Sequence, residues 1–153
     1  MNKKDLNSAK TACFHLIKFR PRSEYELRSR LLRKGYDKEI IDLTIAELSR
    51  IGLIDDLAFA KLWVESRIKK PLGINRLYFE LKIKGVDKDI IEQVINEYGS
   101  TQKEEEIVRD LLKQKLKRLA NLDKKKIKNR LWGFFLRKGF SKDIVFDVLN
   151  ELK

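Results

Sequence analysis

Two adjacent carboxylates (Asp55-Asp56), one histidine (His15), one cysteine (Cys13) and several dense arginine–lysine clusters are the side chains that could do chemistry. Paired carboxylates can hold a divalent cation or divide acid and base roles, but only with a further ligand close by. No nearby His, Cys or third acid completes such a site. Asp55-Asp56 therefore reads as a helix N-cap followed by a first-turn acid. His15 and Cys13, beside Phe14, read as helix and core residues. A single Cys excludes an internal disulfide framework, and a single His excludes a His-rich metal site. The phosphate-binding patterns GxxxxGK[ST] and GxGxxG are absent. The expectation is a protein that is not an enzyme, with no catalytic residue, no metal and no cofactor.

The cations are the stronger signal. Lys+Arg number 35 against 23 Asp+Glu, a net charge of +12 that favours an acidic partner. Arg28, Arg30, Arg33 and Lys34 make a first cluster with Arg20 and Arg22. Arg67, Lys69, Lys70, Arg76, Lys82 and Lys84 make a second. The third runs from Arg109 to Arg130, with ten basic and two acidic residues, and includes Lys124, Lys125 and Lys128. Within it Arg109, Lys113 and Lys117 recur every fourth residue, as on one exposed helix face. Repeated basic faces suit a long polyanion bound through many weak, salt-sensitive contacts. For any one cation the competing explanation is a solvated face with i, i+4 pairs such as Glu26–Arg30. Trp63, Trp132, Phe134 and Phe135 have the chemistry to stack on bases, but their helical spacing places them in the core.

The elements that carry these charges repeat. Three segments align without gaps on Gly35, Gly85 and Gly139, which lie 50 and 54 residues apart. An apolar i, i+4 pair precedes each glycine: Leu27 and Leu31, Leu77 and Leu81, Leu131 and Phe135. Lys34, Lys84 and Lys138 sit in the last turn, where cations suit the helix dipole. The glycines provide a left-handed stop, and Asp37, Asp87 and Ser141 then serve as N-caps. Ser23-x-x-Glu26 is a capping box after Arg20-Pro21-Arg22. A longer helix opens each copy, about Ser8–Phe19, Asp56–Lys69 and Gln102–Leu119. The fold predicted is all-α: a tandem array of three three-helix repeats over 1–51, 52–99 and 100–153, elongated or curved. The joins fall near Ile51-Gly52-Leu53 and Tyr98-Gly99-Ser100.

Length and composition agree. A chain of 153 residues with 42% hydrophobic residues can form a core, and its 7 Gly and 2 Pro argue against a loop-rich β fold. Met1-Asn2-Lys3-Lys4-Asp5 is not followed by a leader-type apolar stretch, and no window is apolar enough for a membrane span. A cytoplasmic monomer with no membrane contact is expected.

The pattern resembles the bacterial RecX regulatory proteins over about residues 8–152. Arg22-Ser23-Glu24-Tyr25-Glu26-Leu27 and Leu31-Leu32-Arg33-Lys34-Gly35-Tyr36 carry the likeness first. Leu48-Ser49-Arg50-Ile51-Gly52-Leu53-Ile54-Asp55-Asp56 continues it, and Gly52-Leu53-Ile54-Asp55-Asp56 with Phe59-Ala60 is the most specific part. Ser66-Arg67, Gly73, Lys84-Gly85-Val86 and Leu136-Arg137-Lys138-Gly139-Phe140-Ser141 follow. Lys69-Lys70-Pro71-Leu72-Gly73 departs from the family's more Arg- and Gly-rich link. The resemblance implies a partner, the RecA recombinase, bound mainly as its nucleoprotein filament. It implies suppression of that filament's ATPase and strand exchange, in recombination, DNA repair and the SOS response. DNA itself would be bound weakly and salt-sensitively. The alternative is a general DNA-binding helical array without RecA specificity. Against base reading, the helices after the glycines open Asp-Lys-Glu, Asp-Lys-Asp and Ser-Lys-Asp, poor chemistry for a recognition helix.

Overall fold

A computed structural model describes residues 4–99 and 101–152. The join anticipated at Ser100 lies outside them. The described residues form nine α-helices and no strand. They are α1 (Leu6–Phe19), α2 (Glu24–Arg33), α3 (Lys38–Arg50), α4 (Asp56–Arg67), α5 (Ile74–Ile83), α6 (Lys88–Tyr98), α7 (Thr101–Leu116), α8 (Lys124–Arg137) and α9 (Lys142–Asn150). In sequence they fall into three three-helix repeats.

Each repeat turns from its second to its third helix by the same device. Gly35, Gly85 and Gly139 have φ of +83°, +73° and +86°. The residue after each glycine donates its N–H to the carbonyl five residues back: Tyr36 to Leu31, Val86 to Leu81 and Phe140 to Phe135, each at 3.2 Å. This is the Schellman closure, and it satisfies carbonyls that the helix end leaves without partners. The apolar pairs before the glycines are all buried, as are Val86 and Phe140.

Two compact units emerge from the packing, Met1–Trp63 with Leu81–Ile91 and Val64–Glu80 with Glu92–Lys153. The second repeat's residues are thus divided between them. In the first unit α1, α2 and α3 pack on one another around Ala9, Cys13, Leu27, Leu31, Ile41, Ile45 and Leu48. In the second, α9 packs on α7 and α8 around Val108, Leu112, Leu131, Phe135, Phe140, Val145 and Val148.

Several local expectations change. Helix α7 stops at Leu116, not Leu119. Its end tightens into i→i+3 bonds, Arg118 N–H to Lys115 O at 3.0 Å and Leu119 N–H to Leu116 O at 3.1 Å. Lys117 therefore lies in the turn beyond the helix. Asp37 and Ser141 stand at N-cap positions without making a capping hydrogen bond. Of the aromatic quartet, Phe135 is fully buried, while Trp63, Trp132 and Phe134 are half-buried. Cys13 is buried, and burial pushes its thiol up to about 11 despite the nearby Lys34 charge. His15 is exposed.

Candidate polyanion-binding faces

The starts of the second helices of the first and second repeats, α2 and α5, are held by residues from the repeat that follows. In the first unit, α2 opens with the expected capping box: Ser23 Oγ accepts from Glu26 N–H at 3.2 Å, and the Glu26 carboxylate accepts from Ser23 N–H at 3.5 Å. The same hydroxyl donates to Lys84 O at 2.6 Å, and Asp56 Oδ1 accepts from Glu24 N–H at 2.9 Å. Asp55, by contrast, caps its own helix, accepting from Ala58 N–H at 3.0 Å. Burial, followed by the nearby charges of Glu24, Asp55 and Glu26, raises the Asp56 carboxyl, while the Glu24 N–H partly offsets the rise. The pair is thus structural, and among the described residues no group of three or more His, Cys, Asp or Glu is placed to hold a metal.

In the second unit, Gly73 N–H donates to Lys138 O at 2.9 Å and Asn75 N–H to Gly139 O at 3.0 Å. Buried Glu104 takes the place of Asp56. It accepts from Ile74 N–H at 3.2 Å, Ser141 N–H at 3.2 Å and Ser141 Oγ–H at 2.8 Å.

A basic cleft lies beside each of these joints. The first, about 340 Å³, is lined by Arg20, Arg22, Arg30 and Arg33 with Tyr25, Ser29 and the carboxylate of Glu26. Glu26 pairs with Arg20, with Arg22 at 3.6 Å and with Lys84 at 3.8 Å, and not with Arg30 as spacing suggested. Burial alone would raise the Glu26 carboxyl, but the Arg20 hydrogen bond and the Lys84 and Arg20 charges hold it below the usual range. Burial, followed by the Arg20 charge, pulls the Arg22 guanidinium down, and the Glu26 carboxylate partly offsets this. Among the described residues Arg30 and Arg33 have no acidic partner, and both are exposed. Lys34, at the end of α2, is exposed as well.

The second cleft, about 320 Å³, is lined by Arg67, Lys70, Arg76, Arg137 and Lys138 with Leu72 and Phe134. Glu80 links two of these cations, accepting from Arg67 at 2.9 and 2.7 Å and from Arg76 at 3.0 Å. Lys138 lies 5.8 Å from the Phe134 ring centroid. Arg137 and Lys138 are not among the binding cations expected from sequence, although Arg33-Lys34-Gly35 and Arg137-Lys138-Gly139 are the same tripeptide in register.

The remaining cations sort by their partners. Arg28 bridges Glu24 at 2.8 Å and Asp42 at 2.6 Å. Arg109 does the same between Glu105 at 2.7 Å and Glu151 at 2.6 Å, and does not project freely from a stripe. Lys84 lies 4.9 Å from the Trp63 ring centroid. Lys82 and Lys84 belong to the first unit, whereas Arg67, Lys69, Lys70 and Arg76 belong to the second. Lys69, Lys70, Lys82, Lys113, Lys117, Lys124 and Lys125 are exposed, and Lys128 is half-buried.

Family models of the first, second and third three-helix domains of RecX match residues 9–48, 55–95 and 103–149. The chain is 38% identical to "Regulatory protein RecX" of Amycolatopsis mediterranei over 94% of this chain and 82% of that one. It is 30% identical to the protein of the same name from Prosthecochloris aestuarii, over 99% and 98%. The fold matches the crystal structure of RecX from Lactobacillus salivarius with a TM-score of 0.86 at 23% identity, covering 97% of this chain and 96% of that one. Repeats, joints and family models agree, and the chain belongs to the RecX family of regulatory proteins.

Proposed function

We propose that this chain binds the RecA–DNA filament and suppresses its ATPase and strand exchange, acting stoichiometrically without a reaction of its own. The observation that supports this most is the pair of arginine-rich clefts, one beside each joint. Each offers planar guanidinium donors that match phosphate and carboxylate oxygens. A polyanion that engages both clefts at once gains an avidity that neither cleft has alone.

The test is a titration of RecA ATPase with wild type and with Arg30→Glu/Arg33→Glu, together with binding to bare DNA, RecA, and RecA with DNA and nucleotide. Suppression should scale with site occupancy, and the wild type should favour the full filament. The double variant should bind at least tenfold more weakly, with a salt slope shallower by roughly two if each arginine displaces one counterion. Equal binding to bare DNA would instead support the general DNA-binding reading, which the exposed lysines also suit. Activity at trace amounts would overturn the stoichiometric reading.

A further inference from the structure

A groove in the third repeat corresponds to one that is already filled in the second. In the second repeat, the space between the start of the second helix (Leu72, Ile74) and the end of the third (Tyr98, Gly99) receives the opening turns of α7, with Glu104 and Ile107. That packing leaves only about 10 Å³. In the third repeat the space between the start of α8 and the end of α9 is about 340 Å³, lined by Leu116, Leu122, Ile127 and Leu152 and flanked by Lys124 and Lys128.

Two further observations show what would fit. The first turn of α5 gives an N–H to the Glu104 carboxylate, whereas Asp123 caps α8 in position only and makes no capping hydrogen bond. The α8 first turn also holds no acid and begins Lys124-Lys125-Lys126, cations at the positive end of a helix dipole, where they weaken the helix. The apolar groove is thus bordered by positive charge and by helix amides without a side-chain cap.

We propose that this groove docks the first turn of a helix from an acidic partner protein. The partner's carboxylate would meet the α8 amides and Lys124 or Lys128. An apolar residue three positions later would enter between Leu122, Ile127 and Leu152. Asp56-x-x-Phe59 and Glu104-x-x-Ile107 carry this spacing within the chain. A second copy is disfavoured by the net charge of +12. The proposal does not depend on RecA being the partner.

The probe is a synthetic peptide of residues 101–116, titrated into isotope-labelled full chain and followed by NMR, with a control peptide carrying Glu104→Lys and Ile107→Lys. Saturable shifts are expected at Leu122–Lys128 and Leu152. Affinity should fall at least tenfold for the control peptide and for the Lys124→Glu/Lys128→Glu protein. That variant places acids at a helix start and should keep its helicity. Absence of saturable shifts, equal affinity for the control peptide, or shifts centred on Ile74 and Tyr98 would overturn the proposal. So would concentration-dependent self-association, seen by sedimentation, that the charge reversal abolishes.

Discussion

The joint at Ser23 and the joint at Gly73 solve one problem in two ways. In both, a lysine carbonyl before a left-handed glycine needs a donor, and the start of a second helix provides it. At Ser23 the donor is a side-chain hydroxyl reaching Lys84 O. At Gly73 it is the backbone N–H itself, reaching Lys138 O. The second solution brings main chain against main chain. A Cβ on Gly73 would overlap the Gly139 carbonyl, and one on Gly139 would overlap the Arg76 backbone. A Cβ on Gly85 would overlap the Tyr25 side chain near its root. At the Ser23 joint the hydroxyl spans the gap, and what faces Gly85 is the Tyr25 side chain, not main chain. Direct backbone pairing at Gly73 puts main chain against both glycines, Gly73 and Gly139, where no side chain can move aside.

The comparison breaks most readily at the glycines. All three turn glycines share a positive φ, so alanine at any of them carries a conformational cost of about 1–2 kcal/mol. At Gly35 the nearest obstacle is the flexible end of Lys4, which can move. At Gly139 the obstacle is backbone, and overpacking adds a further ~1–3 kcal/mol. Denaturant midpoints should therefore fall least for Gly35→Ala and most for Gly139→Ala, with Gly85→Ala between. Gly85→Val should be worse than Gly85→Ala. Equal losses at Gly35 and Gly139 would show that the backbone contact contributes nothing.

A smaller effect separates the two joint carboxylates. Glu104→Ala strips buried acceptors from two backbone amides and a hydroxyl, at a cost of roughly 3 kcal/mol. Asp56→Ala removes one acceptor, at about 1 kcal/mol, the scale of a lost cap. The pH behaviour sharpens the contrast. The folded pKa of Asp56 is raised, so its ionised form disfavours the fold, and this penalty lifts as pH falls through the raised value. Glu26 has the opposite sign: its folded pKa is lowered, and its contribution is lost as pH falls through that value. Asp56→Asn keeps an oxygen for Glu24 N–H and removes the charge. It should be as stable as wild type or more so at neutral pH, and it should lose the gain that wild-type Asp56 shows on mild acidification. A midpoint that drops at neutral pH in Asp56→Asn would refute this sign.

The joints also mark where sequence reading stops. Glycine register, the Ser23–Glu26 box and the buried leucine pairs were legible because each depends on neighbours within a turn or two. The partners of Asp56 and Glu104 were not. Glu24 N–H lies 32 residues from Asp56 and Ile74 N–H 30 from Glu104, and a backbone amide has no residue type to betray it. Glu104 stands in the run Glu104-Glu105-Glu106, which composition reads as solvated, yet only Glu104 is buried. Spacing likewise put Arg109, Lys113 and Lys117 on one face, but could not show that Glu151 lies opposite Arg109 or that the helix ends before Lys117.

The smallest expected effect concerns Arg28 and Arg109, which play matching parts in the two units. Each pairs with an acid four residues earlier and with a second acid, Asp42 on α3 or Glu151 just after α9. Hydrogen bonds from these acids raise both guanidinium pKa values, Asp42 leading for Arg28 and Glu151 for Arg109. Exposed pairs of this kind contribute little to folding, because water and salt screen them. Arg28→Ala and Arg109→Ala should shift the unfolding midpoint only slightly, with the shift shrinking as salt rises. Their guanidinium donors are already committed, so neither change should weaken filament binding by more than about twofold, against the tenfold expected for Arg30→Glu/Arg33→Glu, a ratio worth about 1 kcal/mol. The measurement is filament affinity for the three variants at one salt concentration, with circular dichroism as the folding control. If Arg109→Ala binds as weakly as the Arg30/Arg33 variant, its acids are displaced on binding. The partner would then compete for the arginine that ties α7 to Glu151, and the interface would extend to that face of the third repeat.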